Sequence, residues 1–73
     1  MKLAEARVEA LRQRIARWGS AYLNDDLYRA LRWEGWTRGQ VDRAIERLIA
    51  SGQVVAEAHG GTVRVQVAAV VRR

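Results

Sequence analysis

One six-residue stretch near the middle of the chain, Trp36-Thr37-Arg38-Gly39-Gln40-Val41, leaves the backbone little choice. Thr37 stands three residues before Gln40. At that spacing its hydroxyl accepts the Gln40 amide hydrogen while the Gln40 side chain accepts from the Thr37 amide, and Trp36 packs on Val41 across the helix entrance. A capping box with a hydrophobic staple is a helix start. It predicts a third helix over about 38–50, with Val41, Ala44, Ile45, Leu48 and Ile49 inward and Gly52 just past the end.

The chain before this point reads as two more helices and a short extended piece. Ala4, Val8, Leu11, Ile15 and Trp18 recur at spacings of four and three, which predicts an amphipathic helix over about 2–18, with Gly19 as its stop. Its acids, Glu5 and Glu9, come early and Arg12, Arg14 and Arg17 come late, as the helix dipole favours. The same stripe would serve a coiled-coil seam and hence a homodimer, but it lasts little more than two heptads, so packing within one chain is the stronger reading. Ser20-Ala21-Tyr22-Leu23 predicts a brief strand over 20–23. Asn24-Asp25-Asp26 then supplies a cap and first-turn acid for a helix over about 25–34, with Leu27, Tyr28 and Leu31 on its inner face. Between that helix and the next lie only Trp33 to Thr37, with one glycine, the length and composition of the turn in a helix-turn-helix.

Beyond Gly52 the period changes from helical to alternating. Val63, Val65 and Val67 point one way and Thr62, Arg64 and Gln66 the other, which predicts a hairpin over about 53–69 turning on Gly60-Gly61. Pairing across that two-residue turn sets Glu57 opposite Arg64, Ala56 opposite Val65 and Val54 opposite Val67, leaving one face apolar and an ion pair on the other. Trp18, Trp33 and Trp36 are expected to cluster around the turn as a satellite of the core, in a chain without phenylalanine. A stacking surface for single-stranded nucleic acid is the sharper alternative, but such surfaces set aromatics on strands, and these strands are valine and alanine.

Seventy-three residues make one domain, and a chain so short buries only about 60% of its unfolded surface. With no cysteine and one histidine, neither disulfides nor a zinc cluster are expected to reinforce it, so the core must be apolar. No apolar run approaches the roughly 18 residues of a membrane span, and the charges at Glu9, Arg12 and Arg14 interrupt a secretory signal, so no membrane association and a cytoplasmic location are expected. The formal charge of +5 favours polyanionic partners. Twelve of the thirteen basic residues are arginine, which matches phosphate geometry but also fits an arginine-rich coding habit.

The order helix, short strand, helix, turn, helix, hairpin gives an α+β class. With the capped third helix and the Gly-Gly hairpin, it resembles the winged helix-turn-helix family of DNA-binding domains over nearly the whole chain. The resemblance implies that the third helix lies in the major groove of double-stranded DNA and that the hairpin, the wing, touches the backbone or minor groove. Carried onto this sequence, it points to Arg38, Gln40, Arg43 and Arg47 on the helix and to His59 and Arg64 on the wing. Asp42 and Glu46 project from the same helix, so a solvated salt-bridge lattice is the competing reading of that face; His59 reads more simply as an ordinary turn residue, and Arg64 equally as the partner of Glu57.

No nucleophile with its base, no paired carboxylates and no metal-ligand spacing stands out. A non-enzymatic protein without cofactors is therefore expected, a transcriptional regulator or accessory DNA-binding factor. The alternative is a protein-interaction module on the same scaffold, which exposed aromatics at Trp33, Tyr28 or Tyr22 would favour.

Overall fold

The computed structural model describes residues 4–68. Its elements run α1 (Glu5–Trp18), β1 (Ala21–Tyr22), α2 (Asp25–Arg32), α3 (Arg38–Ala50), β2 (Val54–His59) and β3 (Thr62–Val67). The strands form one antiparallel sheet in the order β1-β3-β2. Three helices beside a small sheet that ends in a hairpin make an α+β fold with the layout of a winged helix-turn-helix.

The capping box is formed in both directions. The Gln40 amide donates to Thr37 Oγ1 and the Thr37 amide to Gln40 Oε1, each at 3.1 Å. Immediately upstream, the Trp36 amide donates to the Leu31 carbonyl at 3.1 Å and the Gly35 amide to the Arg32 carbonyl at 3.0 Å. That pair of bonds, with Gly35 at φ 87°, is a Schellman closure of α2. Trp36 therefore closes one helix immediately before the next begins, and it is buried in the same core cluster as Leu31 and Val41. The guanidinium of Arg7 from α1 lies 4.3 Å from its ring centroid.

The core draws on every element: Val8, Leu11 and Ile15 from α1, Ala21, Leu31 and Trp36, Val41, Ala44, Ile45 and Leu48 from α3, and Val54 and Val65 from the hairpin. The hairpin has the expected register, with Val54, Ala56 and Glu57 facing Val67, Val65 and Arg64. Gly60 and Gly61 both take positive φ, 54° and 83°, as a type I′ turn requires. Ala21 pairs with Val65 and Tyr22 with Arg64, so the short strand joins the sheet beside β3.

Several expectations are corrected. Within the described residues α1 begins at Glu5, with Ala4 as an exposed cap residue, and Lys2 and Leu3 lie outside them. The first strand is shorter than 20–23, α2 ends its regular turns at Arg32 rather than near 34, and residue 69 of the expected hairpin lies outside the described residues. Ile49 is 42% exposed rather than inward. Each four-residue step drifts about 40° around a helix, and by Ile49 the row begun at Val41 and Ile45 has turned off the core.

The tryptophan cluster does not form as expected. Only Trp36 is buried. Trp18, on the last turn of α1, is 43% exposed beneath Arg14, and Trp33 is 87% exposed. Trp33 lies two residues beyond the buried Leu31, about 200° around the helix, so the rotation that buries one exposes the other.

Candidate nucleic-acid interface

Helix α3 is fastened along one side by Val41, Ala44, Ile45 and Leu48. At about 100° per residue, the middle of its opposite side is the row Gly39, Arg43, Glu46 and Ala50. Arg38 and Asp42 fall on the flank towards α2, and Gln40 and Arg47 on the flank towards α1. The side-chain contacts agree with this partition. Arg38 stacks on Tyr28 of α2, 4.5 Å from guanidinium carbon to ring centroid, and the Tyr28 hydroxyl donates to Asp42 Oδ1 at 2.6 Å. Burial first, then the bond to Asp42, raises the Tyr28 phenol above its ordinary value, so it remains a neutral donor at physiological pH. On the other flank Arg47 forms an ion pair with Glu5 of α1.

Of the four helical residues expected to form a site, Arg43, Arg47 and the half-buried Gln40 share the exposed half of α3, whereas Arg38, exposed in its first turn, stands beyond the edge of that half, about 140° around from Arg43. Arg43 sits on the ridge, Arg38 and Arg47 stand on opposite shoulders, and Gln40 has its carbonyl oxygen committed to the cap. The formal charge of this surface is modest, with Asp42 and Glu46 set among three arginines.

His59 and Arg64 occupy one face of the sheet together with Glu57 and Tyr22. Arg64 is not at the hairpin tip. It lies in the central strand, between Tyr22 on β1 and Glu57 on β2, and is ion-paired to Glu57. Its Nε is buried and has no hydrogen-bond partner among the described residues. His59 adjoins the glycine turn, packs edge-on against Tyr22 with ring centroids 6.3 Å apart, and has Nε2 3.9 Å from Glu57 Oε1. The wing residues therefore form a cluster of their own, separate from the arginines of α3.

The sequence reading missed two residues at these surfaces. Tyr28 is expected from the sequence on the inner face of α2, or as an exposed aromatic for a protein partner, yet it supports both Arg38 and Asp42, because the crossing of α2 and α3 brings its ring to the flank. Trp33 was read as core. It instead lines an open depression with Arg29 and Arg32. Arg29 has only Asp26 nearby, at 4.0 Å, and Arg32 has no acidic partner among the described residues. The period of α2 held the signal for Trp33, since Leu27 and Leu31 define an inner face on which residue 33 cannot lie.

Comparisons with protein-family models, curated proteins and solved structures give no match. Among the described residues, no three histidine, cysteine or acidic side chains group as a metal site, and no helix is long and apolar enough to cross a membrane.

Proposed function

We propose that this chain is a small DNA-binding protein, a regulator or accessory factor acting by binding rather than catalysis, that reads duplex DNA through α3. A cytoplasmic setting accords with that role. The observation that carries the reading is the placement of Arg43 and Arg47 on the exposed half, and of Arg38 at its N-terminal edge, of a helix anchored on its other side by Val41, Ala44, Ile45 and Leu48. A helix lying in a major groove has base edges beneath its ridge and a phosphate backbone along each shoulder. Arg43 on the ridge is the base reader, with Glu46 beside it able to accept from cytosine N4. Arg38 and Arg47, on opposite shoulders, face the two backbones and position the helix. The ion pair between Arg47 and Glu5 is no obstacle, because exposed pairs of this kind are worth only about 0–1 kcal/mol and exchange readily for phosphate. His59 and the Gly60-Gly61 amides at the hairpin end supply a contact to an adjacent phosphate.

Titration into labelled duplex DNA over a range of salt tests this. Arg38→Ala and Arg47→Ala should weaken binding to all sequences alike and lower the salt slope by about 1 each, whereas Arg43→Ala should also blur sequence preference. Binding that is independent of salt, or unchanged in all three variants, contradicts the reading.

Trp33 favours a second reading, in which the domain docks an acidic protein. An exposed tryptophan flanked by two arginines has the composition of an interface anchor, and it lies just past the end of α2 rather than on the exposed side of α3. A partner that co-purifies with the parent and is lost with Trp33→Ala, while DNA binding persists, would establish this role. Equal recovery with both proteins would exclude it.

A further inference from the structure

The two edges of the sheet are unlike. The β1 edge is two residues long, too short to recruit another strand, whereas β2 presents six residues, all exposed except Val54. Sheet edges are normally blunted by proline, lysine, a bulge or a covering segment. The chain has no proline, β2 has no lysine, and its pairing with β3 runs without a skipped residue. Its one acid, Glu57, is already neutralised by Arg64.

The register identifies which backbone groups are open. The Leu23 amide donates to the Val63 carbonyl and the Ala68 amide to the Gln53 carbonyl, both at 2.9 Å. Because antiparallel strands alternate, Val63 and Val65 face β1, while Gln53, Val55, Glu57 and His59 face β3. The amides and carbonyls of Val54, Ala56 and Ala58 therefore point away from the sheet, and no hydrogen bond among the described residues takes them.

We propose that this edge pairs with the same edge of a second copy of the chain, antiparallel, about a two-fold axis at Ala56. A two-fold axis normal to the sheet keeps inner face on inner face, so only residues of like parity can oppose one another. Of the registers that leaves, the one centred on Ala56 joins all the outward groups. Ala56 exchanges bonds with the partner's Ala56, Val54 with the partner's Ala58, and Ala58 with the partner's Val54. The residues at the seam are small, and no like charges meet directly across it: Glu57 stands opposite the partner's Val55, covering a valine that is 47% exposed in the single chain. The area buried by one strand pair falls short of the roughly 1,200 Å² of a standard stable interface, so the dimer is a weak one that forms as concentration rises. This inference does not rest on DNA binding, although a two-fold dimer is what paired DNA half-sites require.

Sedimentation equilibrium from micromolar to millimolar protein tests it. The parent should shift from 8.3 kDa towards twice that mass. Ala56→Pro removes an outward amide and no hairpin bond, so that variant, with an unchanged circular dichroism spectrum, should remain monomeric. Ala56→Lys and Ala56→Glu each set like charges across the axis and should be monomeric alone, but a mixture of the two should restore the dimer. A parent that stays monomeric throughout overturns the proposal. So does a dimer that survives Ala56→Pro, or a Lys/Glu mixture that fails to associate although both variants are folded.

Discussion

At the scale of single residues, Trp36 holds the most structure per side chain. Its backbone amide closes α2, while its buried ring shares the core with Leu31 and Val41 and receives Arg7 from α1, so loss of the ring should loosen the packing of three helices at once. Trp36→Ala should cost about 3–5 kcal/mol in denaturant unfolding, the range for a buried aromatic. Trp33→Ala, three positions away but 87% exposed, should stay within about 0.5 kcal/mol of the parent. Thr37→Ala removes only the cap and should cost about 0.5–2 kcal/mol. The cap was legible because it is local, set by the spacing of Thr37 and Gln40. The burial of Trp36 and the exposure of Trp33 were not separated, since composition treats the two alike and only the rotation of α2 tells them apart.

Ion pairs give the same scale a pH dependence. The hydrogen bond from Arg12, then that from Gln13, lowers the Glu9 carboxyl from 4.5 to about 2, and Arg14 lowers Glu34 in the same direction. A carboxylate whose folded value is depressed stabilises the fold above its unfolded value and loses that contribution as pH falls towards the folded one. The melting temperature should therefore be level from neutrality to about pH 4.5 and decline between there and about pH 2. The decline should be slight, because both pairs remain partly open to solvent. Arg12→Ala should remove part of it in a circular dichroism melt.

Among the elements, the hairpin was the most legible. A period of two, a two-glycine turn and an apolar face each specify the same register, and a slip by one residue would turn Val65 and Val54 into water. The turn makes the sharper prediction. An added Cβ at Gly61 meets no neighbour, so the cost of a side chain there comes from the positive φ alone. Gly61→Val should lower stability by about 1–3 kcal/mol, whereas Gly60→Asn, a residue that tolerates this region, should nearly preserve it. Helix α1 was less legible at its ends. Its apolar spacing continues to Trp18, but burial on α1 extends only from Val8 to Ile15, and nothing in the period marks where the covering elements stop.

On the scale of the whole molecule, the fold class followed from the order of elements, whereas the electrostatic surface did not. The sequence placed Arg43 and Arg47 on the exposed side of α3, with Arg38 at its edge. The helical period already divides them around the helix, but it could not show that Arg38 rests on Tyr28, that Arg47 pairs with Glu5, or that Arg64 sits in the centre of the sheet, because each of these depends on how elements cross. The division matters for the proposed function, in which one arginine would read bases and the other two would contact the backbone. The most direct test compares the parent with Arg43→Ala and Arg47→Ala, each verified as folded, on a panel of duplex sequences at several salt concentrations. The account predicts salt-dependent binding by the parent, loss of sequence discrimination with Arg43→Ala, and a uniform weakening with Arg47→Ala. If the parent does not bind duplex DNA at low salt, or both variants bind as the parent does, α3 is not a DNA reader.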